Sequence, residues 1–279
     1  MAKIPKKLLM KQENKVKSQL TLEQKYDFYE RSVQNAESEV SFMHDEFKRF
    51  YGHSPFSLRE DFCGTGAISC KWVEQNKESE AWGIDLDPEP IKMGQVRHYS
   101  KLSKTEQKRM HYLKENVLKT SSPKVDVVCA FNFSYWIFKN RKDLLRYFKS
   151  VRKSLHKQGV FFLDIFAGPE SQKLVTDTKK LDGLTYFWEC QHFNPFNHDC
   201  TFAIHFKDSK GKKHENVFTY HWRMWMMPEL RDLLIEAGFS KTVVYWEGDD
   251  EDGNGNGEFS PADDAENCDA WVSYIAALT

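Results

Sequence analysis

Four residues with chemistry to offer stand close together in the stretch from Leu58 to Asp85: Glu60, Gly64, Gly66 and Asp85. The segment "LREDFCGTGAIS" reads as a strand that breaks into a glycine turn and then a helix. Glycines there let backbone approach a ligand closely, and the following helix points its free N–H groups at that ligand. Asp85 ends the next strand, where a carboxylate can accept both ribose hydroxyl hydrogens. A dinucleotide fingerprint would place a third glycine where Ser69 stands. The pair of glycines with Asp85 therefore suits a nicotinamide dinucleotide and S-adenosylmethionine equally. Glu60 lies four residues before Gly64. An acid there is misplaced for a pyrophosphate and suits a cofactor with a charged amino-acid end. Cys63 sits within the turn, where small residues are needed sterically; a nucleophilic thiol is the alternative.

A second group follows a later strand. In open α/β sheets the ligand lies beyond the carboxyl ends of the strands, so Asn132 and Tyr135 of "FNFSYW" are expected near the reacting atoms. Asp164, on the strand after that, and His221 are candidate general bases. Five histidines, His192, His198, His205, His214 and His221, crowd one region without a helical i, i+4 ligand pair, and no metal site is expected there. "DEDGNGNGEFSPAD" places Asp252, Asn254, Asn256, Gly257 and Asp263 at calcium-loop spacing. No amphipathic helices flank it, so a solvated turn is expected. The alternatives are a metal loop or an acidic rim that favours a cationic substrate.

The elements that must hold these residues alternate. Strands are predicted over 56–60, 81–85, 110–114, 125–131, 159–166, 242–247 and 270–277, with helices near 67–76, 89–100, 141–156 and 228–237. Such alternation implies a mostly parallel sheet covered on both faces. The link from 247 to 270 has no helical period, so the last strand should return antiparallel as a hairpin. Two helices precede the series: one begins at the capping-box pair Thr21 and Gln24, and another spans Glu37 to Tyr51 and stops at Gly52. Between 184 and 225 the apolar period becomes two, as in Phe202, Ile204 and Phe206, which predicts an antiparallel β insertion. The expected organisation is a lysine-rich arm and helical cover over 1–54, a core of 55–183 and 226–279, and the insertion over 184–225.

Composition narrows the partners. The chain has 279 residues, with 40 Lys plus Arg against 41 Asp plus Glu, so no global basic field draws in nucleic acid. No apolar run approaches the ~18 residues that span a membrane. The six cysteines are thinly spread and form no CxxC pair, as expected of reduced thiols and a cytoplasmic location.

"LREDFCGTG", "AWGIDLDPEPI", "VDVVCAFNFSYWIF", "GVFFLDIFAGPE" and "WRMWMMPELRDLLIEAGFSKTVVYWEG", in that order, resemble a class I, Rossmann-like S-adenosylmethionine-dependent methyltransferase of a bacterial type. The resemblance covers about residues 55–279. It implies a seven-stranded, mostly parallel sheet with an antiparallel terminal hairpin. Glu60 and the loop of Phe62, Cys63, Gly64 and Gly66 would hold the methionine part, Asp85 and Leu86 the ribose, and Asn116 with Val117 the adenine. Two departures stand out: Phe62 replaces the usual first glycine of the loop, and Asn116 replaces the usual acid. Asn132-x-x-Tyr135 is similar to the Asn-Pro-Pro-Tyr of amino-methylating enzymes, which implies a target amine held by the amide of Asn132 and stacked on Tyr135. Asn132 would then serve both cofactor and catalysis, beside Tyr135 and Asp164. The implied function is methyl transfer to nitrogen or oxygen of a small molecule, a cationic one included. The alternatives are an RNA or protein methyltransferase guided by the lysine-rich arm, and a non-catalytic cofactor sensor or interaction protein.

Overall fold

The computed structural model describes residues 20–251 and 255–279. The lysine-rich arm, Asp252 and Asn254 lie outside the described residues. In chain order, the elements begin with α1 (Leu22–Val33) and α2 (Ala36–Tyr51). There follow β1 (Ser57–Asp61), α3 (Ala67–Val73), β2 (Glu80–Asp85), α4 (Pro88–Arg97), the single turn α5 (Lys104–Gln107), β3 (Met110–Lys114), β4 (Val125–Ala130), α6 (Arg141–Ser154) and β5 (Leu155–Ala167). The second part comprises β6 (Thr176–Leu181), β7 (Leu184–Phe193), β8 (Asp199–Asp208), β9 (Lys213–Arg223), α7 (Met227–Glu236), β10 (Lys241–Asp249), β11 (Gly255–Ala262) and β12 (Trp271–Leu278).

The main sheet has the order β11-β10-β12-β5-β4-β1-β2-β3. β3, β2, β1, β4 and β5 are parallel, and β12 inserts antiparallel between β5 and β10. Among the described residues the sheet therefore has eight strands where seven were expected. The extra one is β11, an exposed edge strand antiparallel to β10. Its sequence "GNGEFSPA" has no apolar alternation, because Phe259, half-buried against Tyr274, is its one large apolar residue packed on the core. Asn256 and Gly257, counted above as calcium-loop positions, lie in this strand.

A second, antiparallel sheet has the order β6-β7-β8-β9. Its β6, "TDTKKL", is exposed over most of its length, and it starts the sheet at Thr176, ahead of the expected 184. Apolar residues cover both faces of the main sheet. Tyr147, Phe148, Phe161 and Leu233 pack on one face, and Val40, Phe47, Trp72 and Val127 on the other.

Local signals place the two leading helices. Thr21 and Gln24 form the reciprocal capping box of α1, and Gly52 ends α2 in the left-handed conformation at φ 77°. Helix α1 bridges the two sheets. Phe28 packs edge-on against Phe206 with centroids 5.5 Å apart, and Tyr29 lies 4.8 Å from Phe218. On its other side Glu30 accepts from Thr65 Oγ1 at 2.7 Å and from Arg97 Nη2 at 2.7 Å, with His98 Nε2 at 2.8 Å. Burial opposes the charge of Glu30, but these bonds outweigh it and hold the carboxyl at about 2.

Candidate active site

The chain leaves β1 through three left-handed residues, Phe62 at φ 57°, Gly64 at 55° and Gly66 at 68°. The phenylalanine that replaces a glycine thus adopts the glycine's conformation. Its ring is held against Phe138 and Tyr147, with centroids 6.1 and 5.7 Å away. Cys63 N donates to Ile84 O at 2.9 Å and Gly66 N to Cys63 O at 2.7 Å, which closes the turn into α3. The loop is seated tightly. A Cβ on Gly94 of α4 would lie 1.8 Å from Thr65 O, and one on Gly66 would lie 2.6 Å from the Tyr112 ring.

Two acids brace this loop. Asp85 Oδ2 accepts from Gly64 N and Oδ1 from Asp87 N, both at 2.9 Å. Glu60 Oε2 accepts from Ser69 N at 2.9 Å and Ser69 Oγ at 2.5 Å. Burial raises Glu60 to about 7 against the pull of Ser69, with Asp85 and Asp61 adding their charge.

A cavity of about 60 Å³ opens over the loop, where the strand order switches between β1 and β4. Glu60, Phe62, Cys63 and Gly64 line it, with Asn132 from the turn after β4 and Tyr26, Tyr29 and Gln34 from the helical cover. Two buried oxygens in this lining, Gln34 Oε1 and Asp61 Oδ1, have no hydrogen-bond partner. The charge of Asp61 is paired with buried Arg59 at 2.8 Å, but its free Oδ1, Gln34 Oε1 and the Glu60 carboxyl make an acceptor-rich lining that fits an ammonium group, such as the amino-acid end of S-adenosylmethionine, and disfavours a pyrophosphate. Its volume matches that end of the molecule and not a whole nucleoside. Gly66, Asp85 and Leu86 lie beside it without lining it, and Leu86 is 61% exposed. Asn116 and Val117 are not brought in. Asn116 Oδ1 accepts from Leu118 N at 2.9 Å, and Val117 packs in the core.

A larger cavity of about 340 Å³ lies between the carboxyl edge of the main sheet and the second sheet. Its walls are mainly rings: Tyr29, Phe133, Phe166, Tyr186, Trp188, Tyr220, Trp222 and Tyr274. The acids Glu39, Asp164 and Asp177 also line it, and among the described residues the lining contains no Lys, Arg or His. Tyr29 and Asn132 belong to both cavities, so the two meet there.

Asn132 and Phe133 are consecutive left-handed residues, at φ 55° and 57°. Beneath them the Asp164 carboxylate accepts from Asn132 N at 2.7 Å and Phe133 N at 3.0 Å. Burial raises Asp164 to about 7 against these two bonds. Each oxygen accepts one backbone N–H, so Asp164 holds the turn while lining the larger cavity. Tyr135 also departs from expectation. It is fully buried, its hydroxyl donates to Asp164 O at 2.7 Å, and it lines neither cavity. The left-handed pair followed by the 3-10 turn Ser134–Ile137 rotates residue 135 into the core. His221 is exposed on β9 beside Thr201 Oγ1 at 3.2 Å, away from both cavities. His205 and His214 pair instead with Glu189 and Asp208, each at 2.9 Å.

Sequence reasoning missed the residues from the cover: Tyr26, Tyr29, Gln34 and Glu39. The one available signal was Glu39 itself, an acid one residue before Val40 on the apolar stripe of Val40, Met43 and Phe47. In the structure it is 8% exposed and its Oε2 makes no hydrogen bond to any described residue.

Residues 63–161 match the family described as "Methyltransferase domain". No curated protein is similar enough in sequence to match. Among solved structures, an S-adenosylmethionine-dependent methyltransferase from Clostridium acetobutylicum superposes with a TM-score of 0.64 at 17% identity, covering 91% of this chain and 96% of that one. DesVI from Streptomyces venezuelae gives 0.63 at 16%, covering 90% and 97%. CalS10, an amino pentose methyltransferase from Micromonospora echinaspora, gives 0.62 at 14%, covering 91% and 95%. A methyltransferase domain is thus matched over residues 63–161, and the chain has the fold that these solved structures share.

Proposed function

We propose that the protein methylates a nitrogen or oxygen of a small molecule held in the larger cavity. The observation that carries this reading is the junction of the two cavities at Tyr29 and Asn132. S-adenosylmethionine supplies a methyl group on a sulfonium, ready for in-line displacement. Glu60, Gln34 and Asp61 would hold its ammonium end, and Asp85, at the rim of the loop, its ribose. Asn116 would have to release Leu118 N to reach an adenine. Asn132, common to both cavities, would orient the acceptor. For such a displacement, positioning supplies most of the rate, on the order of 7–11 kcal/mol in favourable cases.

The enclosing second sheet limits the acceptor to something that fits about 340 Å³. Its rings and acids favour a partly apolar molecule without negative charge. The amino pentose acted on by CalS10 is a small amine of this kind.

Calorimetry with S-adenosylhomocysteine and with NAD tests the donor. Binding of the first alone is expected, and NAD binding without a response to S-adenosylhomocysteine would overturn the reading. A screen of small amines and alcohols with label on the donor methyl tests the acceptor. Label entering only RNA or protein would overturn it.

A further inference from the structure

Among the described residues, Glu39 is the one buried acid of the larger cavity whose charge nothing answers. Both Asp164 oxygens are occupied by backbone N–H groups, and Asp177 is exposed. Glu39 lies on α2, is more than nine-tenths buried, and has an unpartnered Oε2 in the cavity lining. A carboxyl buried without a partner is costly to keep. The cost is offset when a ligand brings the missing charge. The rings of Tyr29, Trp188, Tyr220 and Trp222 line the same space, and aromatic rings attract a cation.

Resting on the methyl-transfer reading above, we propose that Glu39 binds the charged nitrogen of a small primary or secondary amine and takes its proton before transfer. Its burial, with the charges of Asp164 and Glu60, raises the carboxyl to about 8. That brings it toward the range of aliphatic amines, so proton exchange between the two is nearly balanced. The step closes in atoms and charge. One N–H proton passes from the ammonium to Glu39 Oε2, and the freed lone pair forms the bond to the sulfonium methyl. The carbon–sulfur bond breaks with its electron pair left on sulfur. The products are the N-methylated ammonium and S-adenosylhomocysteine, and Glu39 returns its proton to water. The titratable groups facing Glu39 among the described residues include Asp164 on β5, Glu60 on β1, Asp177 on β6, Tyr29 on α1, Tyr274 on β12 and Cys129 on β4. Burial raises both phenols and the thiol well above neutral pH, so only the acids compete with Glu39 for a proton there.

Choline and its neutral isostere 3,3-dimethylbutanol are the probes, titrated calorimetrically into the full-length protein at pH 7 in two buffers of different ionisation enthalpy. Choline carries no ammonium proton, so any proton released comes from the protein. Choline is expected to bind at least tenfold tighter than the alcohol and to release about one proton per ligand, because a cation favours ionised Glu39. Glu39→Gln should keep S-adenosylhomocysteine affinity while losing the release and most of the preference. Glu39→Asp should retain part of both. Equal binding of the two probes, binding of neither, or an unchanged proton release in Glu39→Gln would overturn the proposal. The wild-type comparison decides alone if a variant does not fold. Failure of the wild-type protein to bind S-adenosylhomocysteine would instead sink the methyl-transfer reading, whatever choline does.

Discussion

The turn after β1 and the turn after β4 leave the same edge of the sheet, both run through left-handed backbone, and both line the smaller cavity. They are built on different principles. The first uses two glycines, which reach positive φ freely, and tolerates one exception in Phe62. The second has no glycine. Asn132 and Phe133 hold a conformation that costs roughly 1–3 kcal/mol per residue, and the Asp164 carboxylate beneath them repays it through two charge-assisted hydrogen bonds. The first turn keeps its backbone open for a ligand to approach. The second is fixed in advance by Asp164, the acid that the sequence offers as a candidate base.

The largest effect should come from removing that acid. Asp164→Ala leaves two buried N–H groups unpaired beneath a strained turn, and a loss of about 3–4 kcal/mol is expected in denaturant unfolding. An unchanged midpoint would mean the turn holds itself. Next comes the seat of the glycine loop. Gly94→Ala drives a methyl into Thr65 O and should cost about 2–3 kcal/mol. Because the loop must shift, S-adenosylhomocysteine affinity should fall as well, and full affinity in the folded variant would show that the loop is not seated by α4.

The helical cover gives a smaller effect with a pH signature. Glu30 has its folded value lowered to about 2, so its contribution is present above its unfolded value near 4.5 and is lost as pH falls toward 2. Glu30→Gln should cost about 1.5–2 kcal/mol at neutral pH and flatten that acid limb. Glu39, Glu60 and Asp164, raised to about 8, 7 and 7, act with the opposite sign. They bind more protons folded than unfolded, so they erode stability as pH rises from about 4.5 to 8. Thermal melts without ligand should therefore peak near pH 5; a maximum at pH 8 would contradict the burial of these acids. The smallest effect is expected at Phe62→Gly, which relieves left-handed strain but surrenders the ring's contacts with Phe138 and Tyr147. The net change should stay within about 1 kcal/mol in either direction.

These contrasts also mark what the sequence could reveal. Glu60, Gly64 and Asp85 were legible because a strand, a turn and the next strand bring them together through local chain geometry alone. The capping box at Thr21 and the stop at Gly52 were legible for the same reason. Asn132 and Tyr135 were read as one motif, yet the left-handed pair sends the first to the cavities and the second to the core; nothing in "FNFS" signals positive φ as glycine would. β6 and β11 escaped because exposed edge strands need no alternation. Tyr29 and Glu39 escaped because they reach the site only through packing of the cover on both sheets, a long-range event that no local pattern encodes.

The ring-lined cavity has a spectroscopic consequence. Of the eight tryptophans in the chain, Trp188 and Trp222 stand in its wall. Trp222 is 6.4 Å from Trp188 and 5.9 Å from the fully buried Trp136, centroid to centroid. A molecule entering the cavity displaces solvent from two indoles that are excitonically close to a third. The intrinsic emission of the unlabelled protein is thus an optical gauge of acceptor occupancy, and it needs no turnover to be read.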